Sequence, residues 1–282
     1  MKLKLKNILC IIIIFLITST TSINVLSVPK DKTSTINSDI ELDINSTTCQ
    51  PPNFRKSTDT ISNEGNLNLN GLSNLNISGS GQFSKEGFNT IRESIDTKYK
   101  LIDIDLRQEA HGFLNECPIN WPRTHSNPNS SLKEIMTNEK NKLNSIKLNK
   151  PLSFYNVPCK VVIPSKVLNE KEFVTDNKIS YVRFPVIDGS IPTEDTTNRF
   201  VEFINKQPKG SWLHFHCKEG IGRTTTFMIM YDILKNGKTV PLHDIINRQI
   251  ELAKMRTDEK NSFASKKRID FLTDFYNEYK NN

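Results

Sequence analysis

Nine consecutive residues hold the densest chemistry in this sequence: His216-Cys217-Lys218-Glu219-Gly220-Ile221-Gly222-Arg223-Thr224. A cysteine attacks as the thiolate, and a thiolate is favoured by converging backbone amides, a helix N-terminus and a nearby guanidinium. This stretch offers all three if a strand enters it and a helix leaves it. The amides of Lys218, Glu219, Gly220, Ile221, Gly222 and Arg223 can then surround three phosphate oxygens, with the positive end of the helix adding its field. Glycines at 220 and 222 allow the tight turn, and the planar fork of Arg223 matches two oxygens in a way that a lysine cannot. The chemistry would be attack of Cys217 on phosphorus, followed by hydrolysis of the thiophosphate by water. Thr224 can hydrogen-bond the sulfur and ease its departure. His216 either orders the loop from the strand side or is a satisfied core histidine.

The departing oxygen needs a proton, and a separate loop upstream is where a donor would sit. Asp188 stands in Pro185-Val186-Ile187-Asp188-Gly189-Ser190-Ile191-Pro192, between a strand and a helix, in a segment able to close over a site. The competing reading is a turn aspartate beside glycine. Lys266, Lys267 and Arg268 follow Ser265 at the start of a helix, where cations oppose the macrodipole. They are either a solvated cluster or a set of contacts for phosphates distant from the reacting one. A phosphate-binding protein without catalysis is disfavoured, because nucleophile, clamp, hydroxyl and candidate acid are all present.

The elements that must position these groups can be read from periodicity. A strand over residues 212–216 leads into the motif, and an apolar helix over 224–234 leaves it. Upstream, Ser84 caps a helix carrying Phe88, Ile91 and Ile95 on one face. Residues 99–107 alternate as a strand, with Leu101, Asp103, Asp105 and Arg107 on one side and Ile102, Ile104 and Leu106 on the other. Asp105 and Arg107 at its end are either functional groups or a structural ion pair. A helix over 132–146, strands over 160–163 and 179–186, and a helix capped by Thr193 complete an α/β pattern. Gly79-Ser80-Gly81 reads as a turn.

Composition bounds the rest. The chain has 282 residues, 36% hydrophobic and 24% charged, which describes one sizeable globular domain. Lys2, Lys4 and Lys6 precede an apolar run over residues 8–17, too short for a bilayer that needs about twenty residues, so residues 1–27 read as a secretory signal peptide. Its removal takes three lysines and no acids, lowering the formal charge from +7 to +4. A basic mature chain suits an anionic substrate. The scattered basic residues without interleaved aromatics argue against nucleic acid. Residues 28–50 are polar and read as a flexible leader, and the folded domain as 51–282, with a smaller lobe within about 118–180. Cys49, Cys117, Cys159 and Cys217 lack zinc or redox spacing, so no structural zinc and at most one disulfide are expected.

His216 to Thr224 resembles the cysteine phosphatase signature of the tyrosine-phosphatase superfamily. Further stretches resemble the bacterial cysteine phytases, the protein-tyrosine-phosphatase-like inositol polyphosphatases. These are Asn53-Phe54-Arg55, Ile77-Ser78-Gly79-Ser80-Gly81-Gln82-Phe83-Ser84, Asp105-Leu106-Arg107-Gln108-Glu109-Ala110-His111-Gly112-Phe113 and Ile187-Asp188-Gly189-Ser190-Ile191-Pro192-Thr193. The similarity spans roughly residues 51–282, and the stretch from Asp105 to Phe113 discriminates best. The resemblance implies a tyrosine-phosphatase-like core with a small partial-barrel lobe, stepwise removal of phosphates from phytate, and no metal or other cofactor. It also implies Asp188 as the acid and Arg55 as a substrate contact. The chain departs from the family at Gly189 and Ile191, where a histidine and a nearby aromatic are frequent. A protein tyrosine or dual-specificity phosphatase is the alternative.

Overall fold

The computed structural model describes residues 39–43, 50–62, 65–122, 124 and 127–280. The signal-peptide reading of 1–27 lies outside them. Among the described residues, no helix is long and apolar enough to cross a membrane.

In chain order the elements are β1 (Glu41–Leu42), β2 (Arg55–Lys56), a single 3-10 turn, β3 (Ile77–Ser80), α1 (Lys85–Glu93), β4 (Lys100–Arg107), β5 (His111–Leu114) and β6 (Cys117–Asn120). Then follow α2 (Leu132–Ser145), β7 (Leu152–Ser153), β8 (Val161–Val162), β9 (Val167–Leu168), α3 (Glu170–Asp176) and β10 (Ser180–Val186). The chain ends with α4 (Glu194–Lys206), β11 (Ser211–His216), α5 (Gly222–Asn236), α6 (Leu242–Leu252), α7 (Thr257–Phe263) and α8 (Lys266–Tyr279). Helix starts follow local chemistry: Ser84 and Thr193 each accept a backbone amide in the first turn, and Ser131 with Glu134 and Asn169 with Glu172 form capping boxes.

The main sheet runs in the order β10-β4-β11-β3-β2, parallel except for the β3–β2 pair. The strand β11 lies inside it, and its last residue, His216, is paired with Asp105 on one side and Ser80 on the other. One face of β4 presents Ile102, Ile104 and Leu106 to the main core, which includes Phe200, Phe215 and the α5 residues Phe227 and Met228. The opposite face presents Asp103, Asp105 and Arg107, all buried. The alternation read from the sequence is therefore correct, but both faces are covered, as parallel sheets require.

The cover on the charged face is the lobe. Its four-stranded antiparallel sheet runs β1-β6-β5-β9, and β7 pairs with β8 alongside. The lobe differs from the expected 118–180 span in two ways. It begins at β5, and it takes an edge strand from residues 39–43, inside what the composition suggested was a flexible leader. The reason is that Ile40 and Leu42 alternate on one face and are buried against Leu114, Ile119, Trp121 and Phe154. The segment is short, so its two apolar residues barely register in a compositional average. Leu42→Ala should destabilise the protein by about 2–5 kcal/mol in chemical denaturation, the usual cost of emptying a buried leucine site. A flexible leader would show no loss.

Candidate active site

The strand β11 delivers Cys217 to the start of the loop, and α5 begins at Gly222 on its far side. The Cys217 sulfur is buried and accepts hydrogen bonds from the Gly220 amide and the Thr224 hydroxyl, each at 3.2 Å. Burial alone would push the thiol pKa up. The positive charge of Arg223, the Thr224 hydroxyl and the Thr224 and Gly220 amides outweigh it, so the net shift is downward and the thiolate is favoured. Gly220 has φ of +80°, and a Cβ there would lie 2.2 Å from the Gly81 nitrogen, so only glycine fits. The Gly79-Ser80-Gly81 segment, expected as a turn, is the end of β3 and the wall on which the loop rests. Gln82 donates its amide to the Lys218 carbonyl there.

Arg223 is held from behind. Glu109 accepts its Nη1 at 2.7 Å and its Nη2 at 3.1 Å, while the Val186 carbonyl takes a further bond from Nη1. Burial would raise the Glu109 pKa, but Arg223 and then Arg107 hold it well below the usual carboxylate range. Asp188 lies on the outer side, its Oδ1 3.0 Å from Arg223 Nη2, with a side chain 71% exposed. Arg223 Nε is buried and has no hydrogen-bond partner among the described residues. Among the described residues, Arg223 thus keeps one donor free and shares another with the exposed carboxylate of Asp188.

Beneath the loop runs a buried polar chain. His216 Nε2 is 2.6 Å from Glu170, the first residue of α3, and 3.6 Å from Asp103. Glu170 also accepts from Gln82, whose own oxygen accepts from Arg107 at 2.6 Å. Arg107 donates through Nε to Glu109, which closes the chain on Arg223. A second branch links Glu170 to His111, Asp105, Arg183 and Glu139, with Tyr181 donating to Asp105. Burial would strip His216 of its proton, yet Glu170 and Asp103 reverse this and hold its pKa well above the ordinary value. Similarly, His111 is raised to about 10, burial being outweighed chiefly by Asp105. Asp103, whose oxygens receive no hydrogen bond, is pushed up to about 7 by burial.

Two groups, Asp103 with Glu170 and His216, and Asp105 with His111 and Glu170, bring donor atoms close enough to hold a metal ion. A metal requires neutral imidazoles and released protons. Here Arg183 lies 3.0 Å from Asp105 and Gln82 donates to Glu170 at 2.9 Å, so these carboxylates already have partners within the protein.

The remaining candidates divide. Arg55, which the resemblance implies is a substrate contact, lies beneath the loop: it is 2% exposed and donates to Gly220 O, Asn53 O and Thr225 Oγ1. Its guanidinium braces the loop instead of facing solvent. Lys218 is half-buried and paired with Glu41 of β1 at 2.7 Å. Glu219 is exposed, with its carbonyl held by Asn53, and Ile221 caps α5 with its backbone. Lys266 and Lys267 are exposed, Lys266 pairing with Asp270. The side chain of that turn which turns inward is Arg268, buried and within 3.7 Å of a Cβ built on Gly222.

Comparison with known proteins adds kinship to this geometry. The PTP-like phytase family model, described as inositol hexakisphosphate, matches residues 156–235. The solved structure of a PTP-like phytase from Bdellovibrio bacteriovorus is 30% identical, covering 86% of this chain and 89% of that one, with a TM-score of 0.70. This chain belongs to the PTP-like phytase family. A PTP-like myo-inositol phosphatase from Mitsuokella multacida, solved with myo-inositol-(1,3,4,5)-tetrakisphosphate, is 29% identical with a TM-score of 0.74, covering 86% of this chain and 45% of that one. The effector protein hopD2 of Pseudomonas syringae pv. tomato is 29% identical over 251 residues, 81% of this chain and 53% of its own. The chain therefore spans about half the length of the Mitsuokella and Pseudomonas proteins.

Within this phytase-family site, reasoning from sequence missed Glu109 and Glu170 as working residues. Glu109 sits in the stretch that carried the resemblance, two residues past Arg107 and four past Asp105, both already singled out, which was a usable signal. Glu170 had none, because it is an ordinary first-turn acid until the fold brings it to His216.

These protonation states have a measurable consequence. The folded protein keeps protons on His216 and His111 that the unfolded chain releases above about pH 6.5. Their contribution is complete below that pH and declines as pH rises, by about 1.4 kcal/mol per pH unit for each retained proton. The depressed Glu109, Glu170 and Asp105 act oppositely, their stabilisation being lost as pH falls below their unfolded values near 4. Calorimetric stability should therefore be greatest on the acid side of neutrality and fall toward pH 9. Glu170→Gln should be less stable and show a flatter alkaline decline; an unchanged alkaline slope would contradict the assignment of His216 as a retained cation.

Proposed function

We propose that this protein hydrolyses phosphomonoesters of myo-inositol polyphosphates, phytate among them, through a cysteinyl-phosphate intermediate. The observation that carries the reading is the Cys217 sulfur held by the Gly220 amide and the Thr224 hydroxyl beside the clamped Arg223. Membership of a family that includes an inositol-phosphate complex supplies the substrate class.

In this mechanism a phosphate enters the loop, and Arg223 Nε, free of protein partners, binds one oxygen. A second oxygen takes the Nη2 position now shared with Asp188, which displaces that carboxyl toward the ester oxygen. Cys217 attacks phosphorus in line, the bond to the inositol oxygen breaks, and protonated Asp188 gives its proton to the leaving alkoxide. Water then attacks the phosphorus of the thiophosphate with Asp188 accepting its proton, and Thr224 stabilises the departing thiolate. His216 and Arg55 position the loop without touching the reacting phosphorus. Lys218, Lys266 and Lys267 are assigned to phosphates on the rest of the ring. Residues 1–27 are assigned to export, because their charge and short apolar run match a signal peptide.

Cys217→Ser should bind phytate but release no phosphate, since a serine hydroxyl in the same nest is barely ionised. Asp188→Asn discriminates between leaving groups: with phytate a rate loss on the order of 10² to 10⁴ is expected, and with nitrophenyl phosphate a clearly smaller one. Equal losses on both would move the proton donor elsewhere. Faster release from a phosphotyrosine peptide than from phytate by the wild type would instead favour the protein phosphatase alternative. Replacing Lys266 and Lys267 together with alanine should raise the Michaelis constant for phytate much more than for nitrophenyl phosphate; equal effects would return both residues to the solvated surface.

A further inference from the structure

Away from the catalytic loop, one surface breaks the ordinary distribution of side chains. Among the described residues, the large hydrophobic residues that stand exposed, Leu148, Tyr155, Val161 and Ile163, all belong to the β7–β8 hairpin and its flanks, at 51%, 70%, 54% and 59% exposure. Val162, between two of them, packs against the core of the lobe, as does Phe154 next to Tyr155. The hairpin is thus anchored by its inner residues while its outer positions, which a strand facing water fills with polar groups, are apolar. A local concentration of exposed apolar side chains on an otherwise polar surface marks an interaction site.

The charge of the same segment says what kind. From residue 146 to 169 there are four lysines, Lys147, Lys150, Lys160 and Lys166, and no aspartate or glutamate. Lys166 lies 4.0 Å from Asp176, and the neighbouring Glu116 is engaged by Lys85. Exposed apolar side chains, a tyrosine among them, in a segment whose only charges are cations match the interface of an anionic bilayer. There the apolar groups enter the headgroup boundary, the lysines stay in the negative surface potential, and tyrosine spans the two.

We infer that the β7–β8 hairpin docks this protein on anionic lipid surfaces. Each lysine brought to such a surface strengthens partitioning roughly fivefold, so three or four acting with the apolar tips give reversible, salt-sensitive attachment. The hairpin is also tied to the catalytic loop. Tyr155 donates its amide to Ile40, Asn156 brackets both the amide and the carbonyl of Leu42, and Glu41 between them holds Lys218.

Co-sedimentation of the purified protein with extruded vesicles tests this. Wild type should pellet with phosphatidylcholine–phosphatidylserine vesicles at low salt, lose most of that binding at high salt, and ignore phosphatidylcholine alone. The triple variant Tyr155→Ser, Val161→Ser, Ile163→Ser should bind at least roughly tenfold more weakly, and so should Lys147→Gln, Lys150→Gln, Lys160→Gln. Both should keep wild-type activity on soluble phosphate esters, which certifies their fold. Cys217→Ser should bind vesicles like wild type, separating this inference from the proposed catalysis. Absence of wild-type binding to anionic vesicles, or equal binding by the lysine variant, would overturn it, as would attachment only to an acidic protein.

Discussion

Arg223 must keep its charge in a place that water hardly reaches, its side chain being 1% exposed. Glu109 makes this possible by accepting from both terminal nitrogens, which fixes the plane of the guanidinium and offsets its desolvation. The thiolate depends on that cation in turn, because burial by itself disfavours the ionised sulfur. Cys217 and Arg223 are therefore electrostatically coupled, and both rest on a carboxylate supplied just beyond the end of β4.

Supporting one buried carboxylate requires further charges. Glu109 also pairs with Arg107, Arg107 with Asp43, and the chain continues through Gln82 to Glu170 and His216. Replacing such networks with apolar side chains often costs little stability, whereas removing one member strands its partner without solvent or counter-charge. The main sheet is thus divided by function. Its apolar face, packed on α4 and α5, carries the hydrophobic core, and its charged face under the lobe sets the protonation and orientation of the loop.

Much of this was legible before the fold was known. The order of strand, glycine-bearing loop and helix around Cys217 requires only local spacing, and the alternation of β4 separated Asp103, Asp105 and Arg107 from their apolar neighbours correctly. What the sequence did not show was long-range. Arg55 entered only as a substrate contact implied by resemblance, because nothing local shows that β2 pairs with β3 and buries it under Gly220. Glu170 and His216 are 46 residues apart and meet only through tertiary packing. The β1 strand is two residues long, below the length at which periodicity distinguishes a strand from a polar tail.

That strand has a practical consequence. A recombinant version trimmed to where the composition turns globular, near residue 50, would lack Asp43 and Glu41 together. Arg107 would lose a carboxylate 2.7 Å away inside the protein, Lys218 its partner, and the lobe the edge strand that covers β6. Low stability in a truncated preparation would then report the boundary chosen for expression, with the loop after Cys217 resting on an incomplete support.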